Sequence, residues 1–343
     1  MAESYKNEVM PSPEQAGVLL IHLLDRCNLH CQHCYIDAST NGDQYLPRRL
    51  VVRSLLETER LGIRTVYLTG GEPILHPDLA AILSSNIPGQ LFQWILCTNG
   101  TLIGSAEASF LKAAHAGAQV SIDGDECYHD AFRGSDGAFR RASRGIQALV
   151  AASVPVTVVV TICQDNLSCL PRLVEWACRL GVRRISVQPL QEVGRGANIR
   201  KKKLSQEQIC ELFLSLSDLG YRYRKRHIRF SLAYYSKSLL LAHPCAAYVC
   251  NGEKCHRHVA KEIKKLVIRA NGIVLPEVPT LNPRFALGNI YDDTLHDLVT
   301  RYMAHGYEDF HSFCRKVFME VMPEFQAPIV PWDEIISERS WII

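Results

Sequence analysis

Val156-Thr157-Val158-Val159-Val160-Thr161-Ile162 is a nearly unbroken β-branched stretch, the pattern of a strand covered on both faces. Such strands build parallel sheets, whose members are joined by crossover helices. The surrounding sequence supplies both parts. Shorter runs of the same kind stand at 18–24, 65–68, 93–97, 118–122 and 184–188, with amphipathic stretches at 48–61, 78–85, 106–116, 138–152 and 168–180 between them. Gly62, Gly117 and Gly181 close three of those stretches, as glycine does where a helix ends in left-handed backbone. Six βα units with right-handed crossovers roll into a barrel or an open part of one. The fold class expected over 17–200 is therefore α/β, a partial (β/α)6 barrel of TIM type. Chemistry in such barrels gathers on the loops at the C-terminal ends of the strands.

After Gly194-Arg195-Gly196 the pattern changes. A long helix is predicted from 205 to about 226, and Asn271-Gly272 between 266–270 and 273–275 is a strong hairpin signal. This divides the chain into an N-terminal extension at 1–16, a barrel at 17–200 and a smaller α+β domain with a tail at 201–343. The βα alternation is the only internal repeat.

The 38 basic and 35 acidic residues give a net charge of +3, which predicts neither a nucleic-acid nor a membrane partner. The one basic run, Arg200-Lys201-Lys202-Lys203, reads as a solvated face ahead of a helix. Residues 1–14 lack the basic start and apolar run of a secretory signal. The apolar stretches 17–24 and 154–163 are too short to span a bilayer. A cytoplasmic protein is expected, and there thiols stay reduced, so clustered members of the 13 cysteines read as metal ligands. Cys97, Cys163, Cys169, Cys178 and Cys210 lie in apolar or helical segments and read as small buried hydrophobes.

One cluster stands out. Cys27-Asn28-Leu29-His30-Cys31-Gln32-His33-Cys34 follows the first strand directly, and three thiolates so spaced can wrap one cubic iron–sulfur cluster, leaving one iron open. A structural zinc knuckle is the alternative, with His30 or His33 as fourth ligand.

This CxxxCxxC segment, followed by the aromatic Tyr35, resembles the radical S-adenosylmethionine (SAM) superfamily. Thr69-Gly70-Gly71-Glu72-Pro73 at the second strand end is similar to the family's GGEP segment, which receives the amino group of SAM. Paired glycines let backbone approach a ligand closely, and a carboxylate accepts from an ammonium. Thr98-Asn99-Gly100 and Ser121-Ile122-Asp123-Gly124, after the third and fourth strands, match segments that line the SAM site, Ser121 and Asp123 toward the ribose or methionine part. His129-Asp130-Ala131-Phe132-Arg133-Gly134 resembles a stretch whose arginine reaches the SAM carboxylate, a group that suits a guanidinium. Gln188-Pro189-Leu190 with Gly194-Arg195-Gly196 resembles the sixth-strand end of members carrying a C-terminal SPASM or twitch domain, making Gln188 a candidate adenosine contact. The resemblance implies a [4Fe–4S] cluster on Cys27, Cys31 and Cys34, SAM as cofactor, and a flavodoxin- or ferredoxin-type reductant. It also implies reductive cleavage of SAM to a 5′-deoxyadenosyl radical that abstracts hydrogen from the substrate.

In the C-terminal part, Asn271-Gly272-Ile273-Val274-Leu275-Pro276 and Gly288-Asn289-Ile290 resemble the opening of such a SPASM or twitch domain, but Glu277 stands where that pattern places a cysteine. Two readings stay open: a second cluster on Cys245, Cys250, Cys255 and Cys314 with Glu277 as substitute ligand, or a degenerate domain whose thiols are structural. The aromatic-rich stretch 302–343, ending Trp341-Ile342-Ile343, is expected to be a docked tail or a homodimer contact. A degenerate domain favours epimerisation, dehydration or decarboxylation, and an intact cluster favours oxidation. Only 26 residues precede Cys27, which favours a small-molecule substrate (sugar, nucleoside or aminocyclitol) over a peptide. By overall layout the chain is similar to decarboxylases of cytosylglucuronic acid from nucleoside-antibiotic pathways. A peptide maturase or epimerase, a sugar-alcohol dehydrogenase, and a non-catalytic iron–sulfur or zinc scaffold are the alternatives.

Overall fold

Six strands form in the expected order: β1 (Gly17–His22), β2 (Ile63–Thr69), β3 (Gln93–Thr98), β4 (Gly117–Ser121), β5 (Val156–Ile162) and β6 (Arg184–Pro189). Each pairs in parallel with the next. The computed structural model describes residues 17–87, 90, 92–248, 263 and 265–342. Between the strands run α1 (Arg48–Leu55), α2 (Leu79–Leu83), α3 (Ser105–Ala113), α4 (Glu126–Arg133), α5 (Ala138–Ala151) and α6 (Leu170–Arg179).

The strand expected to be covered on both faces is fully buried on one. Val156, Val158, Val160 and Ile162 are buried, while Thr157, Val159 and Thr161 between them are half-buried. The buried set shares an apolar core with Ile146 and Leu149 of α5 and with Leu173, Val174 and Ala177 of α6. The threonines and Val159 therefore face the inside of the curved sheet. The same alternation holds in β3, where Trp94, Leu96 and Thr98 are buried while Ile95 and Cys97 are half-buried.

The sheet does not stop at β6. β7 (Arg229–Leu232) adds in parallel beside it. A short β8 (Tyr235–Ser236) follows, and β9 (Lys265–Ile268), β10 (Ile273–Pro276) and β11 (Gly288–Asn289) join the opposite edge, β9 lying parallel to β1. The order is β11-β10-β9-β1-β2-β3-β4-β5-β6-β7, so strands from both ends of the described chain share one ten-stranded sheet. The Asn271-Gly272 hairpin forms, with Gly272 at φ +83°. The long helix α7 is Gln206–Arg222, capped by Ser205, and ends earlier than expected, because a 3-10 turn and His227 at φ +53° follow it.

The tail is helical: α8 (Lys237–Ala242), α9 (Leu295–His305), α10 (Tyr307–Val321) and α11 (Trp332–Ser340). Trp332 is fully buried, stacks edge-on against Phe318 and donates its indole N–H to the Ala247 carbonyl at 3.1 Å. Trp341 and Ile342 are exposed. No helix among the described residues is long and apolar enough to cross a membrane.

Leu19 on β1 is fully buried, whereas Leu214 on α7 is 67% exposed. Leu19→Ala is expected to cost about 2–5 kcal/mol, and Leu214→Ala to stay within about 0.5 kcal/mol. Denaturant titration of the metal-free protein under reducing conditions measures both.

Candidate functional site

At the C-terminal end of β1 the chain enters a long loop that carries the three cysteines. Its course is set by backbone pairing with the end of β2: Gly71 N donates to Leu24 O and Glu72 N to Arg26 O, both at 2.8 Å. A side chain could not be accommodated there. A Cβ on Gly70, at φ +128°, would lie 2.3 Å from Leu24 O, and one on Gly71 would lie 2.0 Å from Arg26 O. The glycine pair thus lets backbone approach the cysteine loop itself.

Cys27 and Cys31 are buried and Cys34 half-buried. Donors surround their sulfurs. Leu29 N reaches Cys27 Sγ at 3.4 Å and Ala38 N reaches Cys34 Sγ at 3.3 Å. Asn99 Nδ2 stands 3.9 Å from Cys27 Sγ, and Arg133 Nη1 stands 3.9 Å from Cys31 Sγ. Burial pushes the Cys27 thiol up to about 12, with partial relief from the Leu29 N–H. A thiol in that range is deprotonated at neutral pH only with a metal's charge beside it. The donor set therefore fits thiolate ligands.

Spacing separates the two metal readings. Zn–S bonds of about 2.3 Å bring the sulfurs of a tetrahedral site to roughly 4 Å apart. Among the described residues, only Glu192, Glu334 and Glu338 place three ligand atoms within 4.8 Å of one another. Neither the three cysteines nor any trio with His30 or His33 does so. The three thiols are thus not gathered as closely as one tetrahedral zinc requires.

Residues from β2 to β4 face this loop. Glu72 is fully buried. Its Oε1 accepts from Thr98 Oγ1 at 2.7 Å and Ile74 N at 3.3 Å, and its Oε2 accepts from Asn99 N at 2.8 Å. Burial raises its carboxyl to about 7 despite those donors. The Asn99 amide bridges to Asn28 of the cysteine loop at 2.8 Å.

Asp123 and Arg133, read from the sequence as separate contacts, are bonded to each other. Arg133 Nε donates to Asp123 Oδ2 at 2.7 Å, and Asp123 Oδ1 accepts from Thr161 N at 3.0 Å. Burial alone would raise the Asp123 carboxyl, but Arg133, His33 and His129 hold it down at about 2. From the sequence, His33 is only an alternative zinc ligand and His129 has no role of its own. His33 stacks on Phe132 with ring centroids 4.1 Å apart, and His129 Nδ1 accepts from Asp123 N at 3.2 Å. Burial holds both neutral, His33 down at about 3 and His129 at about 4. His33 Nδ1 and His129 Nε2 are buried without hydrogen-bond partners in the protein. Orphaned buried nitrogens beside a carboxylate and a guanidinium suit a polar ligand carrying donors and acceptors of its own. The signal for them was present, since His33 lies inside the cysteine motif and His129 opens the Arg133 motif.

Tyr35 points toward the inner face, where its hydroxyl meets His22 Nε2 at 3.2 Å. Ser121 is half-buried and Gln188 exposed at the end of β6. In the C-terminal half, Cys245 is exposed and Cys314 fully buried, while Cys250 and Cys255 lie outside the described residues. Glu277 is buried at φ +61° and accepts from Lys265 N at 3.2 Å. Beside it, Lys265 Nζ pairs with Asp333 at 2.7 Å, and Asp333 also accepts from the Tyr235 and Tyr248 hydroxyls at 3.1 and 3.3 Å.

Comparison with known proteins bears on this geometry. Residues 21–177 match the Radical SAM superfamily. The chain is similar to the "Pre-heme d1 synthase" of Dinoroseobacter shibae, 33% identical over 184 residues, which are 52% of this chain and 45% of that protein. It is similar to the "AdoMet-dependent heme synthase" of Methanosarcina barkeri, 36% identical over 176 residues, 50% of this chain and 49% of that one. The chain thus spans about half the length of the curated relatives it matches. In fold it is similar to Streptococcus suis SuiB bound to S-adenosylmethionine, with a TM-score of 0.67 at 19% identity, covering 86% of this chain and 68% of that one. The peptide-bound anSMEcpe with AdoMet gives 0.66 at 18% identity, covering 87% and 83%. Residues 21–177, which run from the end of β1 into α6, are a domain of the Radical SAM superfamily, a family that uses a [4Fe–4S] cluster and SAM, and the fold is that of solved structures with bound S-adenosylmethionine.

Proposed function

We propose that Cys27, Cys31 and Cys34 hold the [4Fe–4S] cluster, and that Glu72, Asn99, Asp123, Arg133 and the orphaned faces of His33 and His129 hold SAM against it. One observation carries this reading: four consecutive strand ends deliver three donor-lined thiols and a buried carboxylate–guanidinium set to one place. With its open iron the bound cluster supplies the electron that cleaves SAM. The protein's own residues then do positioning work. Glu72 keeps one of its roughly four acceptor sites for an ammonium. Arg133 is fixed through Nε and sets Nη1 near Cys31 Sγ, which leaves Nη2 for a carboxylate. Gly70, Gly71 and Thr98 set the backbone around Glu72, and Tyr35, Ser121 and Gln188 line the inner face toward the adenosine side.

For the substrate we infer a small molecule, processed without a second cluster by residues 201–343. Glu277 takes the position where the family pattern has a cysteine, and the Lys265–Asp333–Tyr235–Tyr248 network fills the space beside it. A carboxylate is a poorer partner than a thiolate for a sulfide-rich cluster. This favours redox-neutral chemistry, and decarboxylation of an acidic sugar nucleoside of the cytosylglucuronic acid type is the reaction we assign. A second reading is favoured by the relatives, several of which are heme synthases: a tetrapyrrole substrate on the same SAM machinery. Substrate-dependent 5′-deoxyadenosine, measured with cytosylglucuronic acid and with Fe-coproporphyrin III in parallel, decides between them.

Iron counting tests the metal assignment. The reconstituted protein is expected to bind about four irons, and a variant with all three of Cys27, Cys31 and Cys34 changed to alanine almost none. About four irons retained by that variant would relocate a cluster to the C-terminal cysteines.

The pH dependence tests Glu72. Its carboxyl sits above its ordinary value because of burial, so its contribution to stability is full below that value and is lost as pH rises through about 7. Binding an ammonium requires the ionised form. SAM affinity is therefore expected to fall as pH drops below about 7, by up to roughly tenfold per pH unit for one proton. Glu72→Gln should bind SAM weakly with a flat profile, as read by equilibrium titration between pH 6 and 8.

A further inference from the structure

Arg195 lies just past β6, yet its hydrogen bonds go to the cysteine loop. Its backbone N–H donates to Cys34 O at 2.9 Å. Its Nε donates to Cys31 O at 2.7 Å, and its Nη1 to Ala38 O at 2.8 Å and Asp37 Oδ1 at 2.7 Å. One guanidinium thus ties together the two limbs of the loop, before and after Cys34. The neighbouring glycines make the approach feasible. Gly194 adopts φ +58°, and a Cβ on it would lie 2.5 Å from Cys34 O, while one on Gly196 would lie 2.1 Å from Gln191 O.

The side chain of Arg195 is 13% exposed and that of Asp37 is 67% exposed. The ion pair is therefore screened and worth little. The two carbonyl contacts, made in a fixed fork, are the part that a lysine could not copy.

We propose that Arg195 is a positioning residue for the cluster, locking the carbonyls of Cys31 and Ala38 in one fork and holding a fixed positive charge beside the ligand loop. Two consequences follow. Pinning both limbs of the loop slows loss of iron, because ligands whose supporting contacts are intact leave the metal less readily. A cation beside the cluster stabilises the extra negative charge of its reduced form and so raises its midpoint potential. The inference rests on the cluster assignment above, and the two fail in different places.

The test uses the full chain after anaerobic reconstitution, comparing wild type with Arg195→Gln, Arg195→Lys and Asp37→Asn. The readouts are the rate of bleaching by an iron chelator and the midpoint potential from a spectroscopic redox titration. Arg195→Gln should bleach roughly tenfold faster or more and have a more negative midpoint. Arg195→Lys should bleach faster while keeping a midpoint close to wild type, and Asp37→Asn should match wild type in both. If Arg195→Gln folds poorly by circular dichroism, the lysine variant decides, and a wild-type bleaching rate there overturns the latch. Unchanged bleaching and midpoint in Arg195→Gln overturn it too, as does an Asp37→Asn variant that reproduces the glutamine phenotype. A wild-type protein that takes up no cluster overturns the assignment beneath it before any variant is made.

Discussion

The site depends on two backbone hydrogen bonds, Gly71 N to Leu24 O and Glu72 N to Arg26 O. They lay the end of β2 against the stretch that leads from β1 into the cysteines, and glycine is the residue that fits at so short a separation. Everything downstream inherits that placement. The same turn aims Glu72 inward, where Thr98 and Asn99 from β3 hold it, and Asn99 reaches back to Asn28 and toward Cys27. The thiols and the carboxylate are thus parts of one hydrogen-bonded assembly. A change at either glycine is expected to disturb both.

Charge in this assembly is managed by burial and pairing. Asp123 stays ionised because Arg133 is bonded to it, which is the condition under which a buried charge is tolerated. The histidines around it stay neutral, so they offer directional donors and acceptors without adding charge. His22, on the inner face beside Tyr35, is likewise held down at about 3 by burial.

The barrel was legible because its strands are β-branched and their spacing is regular, and the cysteine loop because three thiols at that spacing have few other uses. What escaped reading was set by contacts distant in sequence. The pairing of Asp123 with Arg133, the His33–Phe132 stack and the Arg195 fork join residues whose relation appears only once the strand ends are side by side. The inner faces were misjudged for a similar reason. A run such as Val156-Thr157-Val158-Val159-Val160 reads as doubly buried, but Thr157, Val159 and Thr161 are half-buried because they face the inside of a curved sheet. The tail gave no periodic signal of its own, yet Trp332 is fully buried through partners on α10 and the stretch after α8. The joining of β9 to β1 could not be read from a hairpin signal alone, which says that two strands pair and not what they pair with.

The central claim is that Cys27, Cys31 and Cys34 leave one iron of a [4Fe–4S] cluster open to SAM. Electron paramagnetic resonance of the reduced, reconstituted protein tests it most directly, recorded with and without SAM. The account predicts the signal of a single reduced [4Fe–4S] centre whose g-values shift when SAM is added, because the ligand binds the cluster itself. A cluster signal that SAM leaves unchanged, or a protein that retains stoichiometric zinc and shows no such signal, would contradict it.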